Sequence, residues 1–149
     1  VYYYHRPSAK RGYLFTPTEP LFPFGFGLSY TTFAYGAVRV TPETIAPDGA
    51  VTVTVDVTNT GDWPGDEVVQ LYVRDPVSTV TRPVQILRDF RRVHLAPDET
   101  KTVTFTLPAE KLAFLDREMQ WRVEPGTFDV LVGGSSADTQ AASFEVVAG

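Results

Sequence analysis

The sequence contains no cysteine in its 149 residues. This absence excludes disulfide bonds, thiolate nucleophiles and metal sites built on cysteine ligands. Histidine is almost as scarce: the two histidines, His5 and His94, lie far apart in the chain, and we expect His94 on the surface of a sheet. No apolar run approaches the roughly 18 residues that a membrane-spanning helix needs. The sequence therefore predicts no metal site, no cofactor and no membrane partner.

Basic residues are fewer than acidic residues. Thirteen Lys and Arg against eighteen Asp and Glu give a formal net charge of −5. Nucleic-acid-binding domains cluster their basic residues on one face, whereas these are scattered, so we exclude nucleic acid as a partner. The acidic residues form no block of like charge, which argues against a disordered acidic tail. The length suffices for one domain with a core of its own.

The beginning of the chain lacks the features of a targeting segment. Val1 to Arg6 include neither an initiator methionine nor the apolar stretch of a signal peptide, and Met119 is the one methionine. We therefore expect the chain to be part of a longer polypeptide. The compartment is left open, with a periplasmic or secreted parent among the alternatives.

Residues 1–32 are rich in aromatic residues, proline and glycine, with no sustained period of 2 or 3.6. The run from Pro20 to Tyr30 cannot form a helix, because two prolines and two glycines interrupt it. Its large apolar side chains need a surface to pack against. We predict that residues 1–32 form an extended tether that packs on a preceding domain through Leu21, Phe22, Phe24, Phe26, Leu28 and Tyr30.

From Phe33 onward the pattern changes to short alternating runs separated by turn residues. The clearest run is 51–58, in which valines alternate with Thr or Asp, as in a half-buried antiparallel strand. Residues 108–115 have a helical character over one turn. Repeated short strands with regular turn signals favour an all-β, antiparallel β-sandwich over residues 33–149. The predicted strands are 38–41, 51–58, 67–73, 86–95, 102–107, 127–132 and 142–147.

The segment from Pro20 to Phe33 resembles a motif of glycoside hydrolase family 3 enzymes. In that family the motif joins the second catalytic domain to a C-terminal fibronectin type III-like domain. Asp98 is a departure, because the family often has glycine in that turn, a position that Asp tolerates. Further matching motifs follow in the family's order and cover nearly the whole chain, at 57–61, 65–73, 82–83, 87–90, 93–99, 123–126 and 132–136.

The resemblance implies an immunoglobulin-like, fibronectin type III-like sandwich within a larger exo-acting β-glucosidase or β-xylosidase. The segment from Arg6 to Phe15 is similar to the one that precedes the motif in those enzymes. Family members retain configuration through two carboxylates, both of which lie outside this domain. The resemblance therefore implies no catalytic residue here. It implies a module that stabilises the catalytic domains of the same polypeptide or mediates domain or subunit contacts.

A carbohydrate-binding module that holds polysaccharide near the catalytic domain is the alternative. Trp63, Tyr72 and Trp121 are the candidates for stacking on sugar rings. The competing interpretation is that these aromatic side chains fill the sandwich core or contact a neighbouring domain, as strand aromatics usually do.

Several acidic residues lie close together in the sequence and could indicate a catalytic or a metal-binding site. The pairs Asp62 with Asp66 and Asp98 with Glu99 are close in sequence, but we predict that they cap backbone N–H groups in turns. Asp62, Asp66 and Glu67 offer clustered oxygens of the kind calcium prefers. Their spacing lacks the alternate-residue ladder of a calcium loop, and Trp63 and Pro64 interrupt it, so no metal site is predicted.

The basic cluster near the start of the chain has two possible roles. We consider that Arg6, Lys10 and Arg11, with Tyr13, reach the active site of the parent enzyme. The alternative is that these residues pair with acidic groups on the surface of the catalytic domain.

Overall fold

The chain folds into two β-sheets packed face to face. The computed structural model describes residues 22–75, 85–115 and 121–148, with only the backbone at 114–115 and 121–122. The predicted all-β sandwich is confirmed. The strands are β1 (Phe33–Tyr35), β2 (Arg39–Thr41), β3 (Thr44–Ile45), β4 (Ala50–Asn59), β5 (Gly65–Arg74), β6 (Ile86–Leu95), β7 (Thr100–Pro108), β8 (Phe114–Leu115), β9 (Trp121–Arg122), β10 (Gly126–Gly133) and β11 (Thr139–Val146).

The first sheet is built around β4. Along one edge β4 pairs with β7, with Val53 opposite Phe105, and along the other it pairs with β1 and then β2. All of these pairings are antiparallel. The second sheet has the order β3-β11-β10-β5-β6, in which β3 runs parallel to β11. Strands β8 and β9 form a separate two-stranded ladder.

The alternation in β4 sets the core. Val51, Val53, Val55 and Val57 have no exposed surface, while the residues between them point away from the second sheet. Burying a side chain of this size contributes roughly 1.5–3 kcal/mol. The valines meet apolar side chains from the facing sheet and from β7, among them Val69, Leu71, Phe105, Leu107, Phe128, Val130, Val132 and Phe144.

Most strand predictions match the structure to within a few residues, and the differences are local. The predicted helical turn is a short 3₁₀ helix at Ala109–Leu112. The predictions do not include β1, β3, β8 and β9, because strands of two or three residues carry too little periodicity to recognise. β8 lies at the end of the stretch 108–115 for which a helical character is predicted. β5 does not alternate in burial over its second half: residues 69–73 are all buried.

Asn59 closes the end of β4 and is fully buried. Its side-chain oxygen accepts hydrogen bonds from Thr31 Oγ1 at 2.7 Å and from the Gly61 N–H at 3.0 Å. Its amide nitrogen donates to the carbonyls of Trp63 at 2.7 Å and Leu95 at 3.0 Å. Every hydrogen-bonding position of the amide is therefore satisfied, which is what a buried polar group requires.

The backbone of Asn59 is bound as well. Its N–H donates to the carbonyl of Glu99, and its carbonyl accepts from the N–H of Asp98, each at 3.0 Å. Asp98 adopts a left-handed conformation with φ of 59°, which Asp tolerates better than most residues. The turn predicted at Asp98 and Glu99 is thereby confirmed, and Glu99 caps it by accepting the Ala96 N–H at 2.7 Å.

We expect Asn59→Ala to destabilise the chain by about 3 kcal/mol or more, because it leaves two donors and two carbonyls without their partner. Thr58→Ala is the control, since it removes only a surface hydrogen bond to Thr100 and should cost no more than about 1 kcal/mol. Denaturant unfolding followed by circular dichroism measures both. Equal losses in the two variants would contradict the role given to Asn59.

Candidate interdomain surface

The described part of the tether, residues 22–32, lies against the second sheet on the side away from the core. The carbonyl of Phe24 accepts a hydrogen bond from the Ser136 N–H at 2.9 Å. The carbonyl of Gly25 accepts one from Gln70 Nε2 at 3.0 Å. The ring of Phe24 meets the ring of Tyr72 edge-on at 6.5 Å. The tether backbone is thus fixed on the outer face of β5.

Gln70 and Tyr72 hold this contact from the sheet side. Both are buried, at 6% and 0% exposure. The Tyr72 hydroxyl donates to Gln70 Oε1 at 2.5 Å, and Gln70 Nε2 donates also to the carbonyl of Gly134 at 2.8 Å. These side chains explain why β5 loses its alternation: the core buries one of its faces and the tether covers the other.

Gly25 is required where the tether crosses Gln70. Its φ of 79° lies in the left-handed region. A Cβ atom at this position would lie 2.1 Å from Gln70 Oε1, too close for any side chain. A glycine therefore lets the backbone approach the sheet closely enough to bond.

Thr31 anchors the other end of the tether. It is 8% exposed, and its hydroxyl donates to Asn59. Two glycines make room for it: a Cβ atom at Gly61 would lie 2.2 Å from Thr31 Oγ1, and one at Gly65 would lie 2.7 Å from Thr31 Cγ2. The tether therefore has polar anchors near both ends of its described length.

Most apolar side chains of the described tether remain exposed. Leu28 is 92% exposed and Tyr30 is 99% exposed. The rings of Phe22 and Phe26 lie 5.2 Å apart, and both are largely open to solvent. We call the five exposed side chains the tether ridge: Phe22, Phe24, Phe26, Leu28 and Tyr30. Of these, Phe24 also packs against Tyr72 and is 41% exposed.

A cleft of about 520 Å³ separates part of the ridge from the sheet. Phe26 and Leu28 line one side, and Asp66, Glu67 and Val68 of β5 line the other. The remaining lining residues are Pro23, Gly25, Gly27, Ser29, Gln70, Gly134, Ser135, Ala137 and Asp138. The cleft is lined by apolar side chains of the tether and, on β5, by Val68 together with the two acidic residues.

Glu67 is the half-buried carboxyl group of the cleft. Burial raises its pKa, and the neighbouring charge of Asp138 acts in the same direction. The Val68 N–H donates to its Oε1 at 2.9 Å, which partly opposes the shift. The Tyr35 hydroxyl lies beside the same carboxyl group, and burial followed by the Glu67 charge raises the pKa of Tyr35.

Asp66 lies on β5 and not in a turn, so its predicted capping role is wrong. The ladder between β5 and β6 already begins at Gly65, which pairs with Leu95, so Asp66 lies within the strand and opposite His94. Its carboxylate accepts from Arg92 Nε at 2.9 Å and lies 2.6 Å from His94 Nδ1. The hydrogen bond to His94, followed by that to Arg92, lowers the pKa of Asp66. His94 is exposed on the sheet surface, as predicted.

The calcium set considered above is not assembled in the structure. Asp66 is engaged by Arg92 and His94. Within residues 22–75, 85–115 and 121–148, no three His, Asp or Glu side chains are grouped so that they could hold a metal ion. Over the same residues, no helix is long and apolar enough to cross a membrane.

The three candidate stacking aromatics differ in position. Tyr72 is fully buried, which excludes it from sugar stacking. Trp63 is 67% exposed in the turn after β4. The side chain of Trp121 is outside the described part of the chain. Leu21, one of the predicted interdomain contacts, is outside it as well, and so are Arg6, Lys10, Arg11 and Tyr13, the predicted contributors to the parent active site.

Comparison with known proteins identifies the module. A family model of the fibronectin type III-like domain matches residues 67–136. The chain contains a fibronectin type III-like domain. Over 140 residues it is 51% identical to a β-xylosidase of Formosa agariphila, covering 91% of the chain and 19% of that protein. It is 44% identical to a periplasmic β-glucosidase of Salmonella typhimurium, covering 86% of the chain and 17% of that protein.

Solved structures agree with this assignment. A β-glucosidase of Erythrobacter marinus superposes with a TM-score of 0.93 at 39% identity, covering 99% of this chain and 20% of the other. The fibronectin type III-like module thus spans about a fifth of the length of the proteins it matches. It corresponds to the C-terminal part of glycoside hydrolase family 3 β-glucosidases and β-xylosidases, which confirms the resemblance found in the sequence.

Sequence reasoning missed Gln70 and Asn59, the two residues that hold the tether. The available signal was position: Gln70 interrupts the apolar run at 68–73, and Asn59 takes the next place in the alternation after the valines at 51, 53, 55 and 57. A polar side chain at such a place is usually buried with specific partners. The partners themselves, the tether carbonyls and Thr31, lie more than 25 positions away in the sequence.

We expect Glu67→Gln to raise the melting temperature of the module at pH 7, because it removes a charge that burial disfavours. Since the folded-state pKa of Glu67 lies above its ordinary value of 4.5, the unsubstituted module gains stability as the pH falls towards 4.5. The difference in melting temperature between the unsubstituted module and the Glu67→Gln variant should therefore shrink as the pH falls. Thermal unfolding at a series of pH values measures it.

Glu99→Gln is the control for the sign of this effect. The Ala96 N–H lowers the pKa of Glu99, so its substitution should lower the melting temperature at pH 7. A Glu67→Gln variant that is less stable than the unsubstituted module at pH 7 would contradict the interpretation of the cleft.

Proposed function

We propose that this chain is a non-catalytic module of a longer exo-acting β-glycosidase, a β-glucosidase or β-xylosidase, referred to below as the parent. The module stabilises the catalytic domains of the same polypeptide by docking against them through the tether ridge. One observation carries the proposal: Leu28 and Tyr30 are almost completely exposed on a segment that is anchored by hydrogen bonds at both ends.

A fixed apolar ridge is suited to binding a protein surface. Contiguous exposed apolar side chains are uncommon on domains that have no partner, and they mark interaction sites. Because Gln70 and Asn59 already hold the tether in place, docking need not order its backbone, and this lowers the entropic cost of association. The relatives' length supports a partner within the same polypeptide, since about four-fifths of each relative lies outside the matched part.

The arrangement of the carboxylates supports a non-catalytic role. Retaining hydrolysis needs two carboxyl groups about 5 Å apart on either side of a sugar. Asp66 is paired with Arg92 and His94, and the Glu67 carboxyl is half-buried beside Tyr35. Glu67 and Asp138 both line the cleft. If the module were catalytic, these two carboxyl groups would have to act as the catalytic pair.

We expect the module alone to hydrolyse neither chromogenic β-glucosides nor β-xylosides, because the catalytic carboxylates belong to the rest of the parent. Release of nitrophenol above the buffer rate is the measurement, with the parent as the positive control. Turnover that disappears in the Glu67→Gln variant would overturn the non-catalytic assignment and place the reaction in the cleft.

We expect the double variant Leu28→Ser/Tyr30→Ser to leave the melting temperature of the isolated module unchanged, because both side chains are exposed there. In the parent it should lower the melting temperature by several degrees, since each buried side chain contributes roughly 1.5–3 kcal/mol. Differential scanning calorimetry of module and parent measures both effects.

Val147→Ser is the control for this experiment, because Val147 is exposed at a distant corner of the same sheet. Val146 pairs with Gly126, whereas Gln70 pairs with Gly133, seven residues along β10 and roughly 23 Å away. If the unsubstituted parent, the Leu28→Ser/Tyr30→Ser variant and the Val147→Ser variant all have the same melting temperature, docking through the tether ridge is refuted.

A further inference from the structure

Phe90 is a large apolar side chain left open in the middle of a regular strand. It lies at the centre of β6 and is 60% exposed. Its neighbour on β5, Val68, is 40% exposed. A strand that faces water on one side normally carries polar residues on that side. Neither packing in the core nor contact with water therefore explains why these two exposed positions are apolar.

The strand register places these side chains on the face that carries the tether. Phe90 pairs with Gln70, and Arg92 pairs with Val68. Directly opposed residues of an antiparallel pair share a face, as do residues two apart on one strand. Val68 and Phe90 therefore lie on the same face as Gln70, whose amide binds the carbonyl of Gly25.

Exposed apolar side chains extend from the tether across the cleft to the sheet edge. Val68 lines the cleft together with Phe26 and Leu28 of the tether ridge. Phe90 extends the surface by one strand, to β6 at the edge of the sheet. Next to them, Arg92, Asp66 and His94 form a hydrogen-bonded polar group that remains accessible to solvent. An apolar centre bordered by such polar residues is the usual composition of a protein–protein interface.

We propose that Val68 and Phe90 belong to the same docking surface as the tether ridge, so that the catalytic portion of the parent covers the outer face of β5 and β6 as well as the tether. This proposal rests on the proposed function and adds the sheet to its interface. Two observations indicate this occupant and not a second copy of the module: the surface continues the tether ridge, and about four-fifths of each relative lies outside the module.

The absence of cysteine makes burial of this surface directly measurable. Val68→Cys and Val147→Cys each place a single thiol in the module, at positions that are 40% and 39% exposed. Both should react with a maleimide at similar rates in the isolated module. In the parent we expect the Val68→Cys thiol to react at least tenfold more slowly, while the Val147→Cys rate changes less than twofold. Intact-mass spectrometry follows labelling, with the unsubstituted parent as the blank.

A second variant provides a readout that does not depend on thiol reactivity. Phe90→Ser should leave the melting temperature of the isolated module unchanged within one or two degrees and lower that of the parent. Circular dichroism of the isolated module verifies that each variant is folded.

The outcomes separate this proposal from the proposed function. If the Val68→Cys rate is the same in module and parent while Leu28→Ser/Tyr30→Ser destabilises the parent, the sheet is outside the interface and only the present inference fails. If the tether variant is also without effect, the proposed function fails with it. Slow labelling of Val68→Cys in the isolated module, with a dimer mass in light scattering, would assign the surface to a second copy and overturn the inference.

Discussion

The buried amide of Asn59 determines how the parts of this domain meet. Its four side-chain hydrogen bonds join the end of β4 to Thr31 of the tether, to the following turn and to the end of β6. In a low-dielectric interior, a polar group that loses its partners is strongly penalised, so such a network admits one arrangement. The direction in which the tether leaves the sandwich is therefore set by hydrogen-bond geometry, whereas valine packing sets the sandwich itself.

Gln70 applies the same principle at the other end of the tether. Its amide nitrogen donates to one tether carbonyl and to one carbonyl of the loop between β10 and β11. Its amide oxygen accepts a hydrogen bond from the Tyr72 hydroxyl. Together the two amides allow an apolar segment to lie on the outside of a folded domain without collapsing into it. The tether is held by backbone carbonyls at one end and by the Thr31 hydroxyl at the other, which leaves the side chains of Leu28 and Tyr30 for contacts elsewhere.

The sequence predicts the sandwich well because its signal is local. The alternation of Val51 to Thr58 reports on one strand and one face, and the structure reproduces it residue by residue. The second half of β5 behaves differently, since Gln70 and Tyr72 are buried by a segment some 45 positions earlier in the chain. Asp66 was assigned to a turn because turn residues precede it, whereas its pairing with His94 depends on the register of two distant strands. The sequence alone does not indicate that Phe90 is exposed, because an aromatic residue in a strand is expected in the core until its face is known.

The parallel pairing of β3 with β11 has a mechanical consequence. Thr44 and Ile45 lie beside Glu145 and Val146 and point in the same direction along the sheet. A force that pulls the two ends of the domain apart therefore slides these strands past each other and loads their hydrogen bonds together instead of peeling them one at a time. A domain fastened in this way resists stretching at its termini.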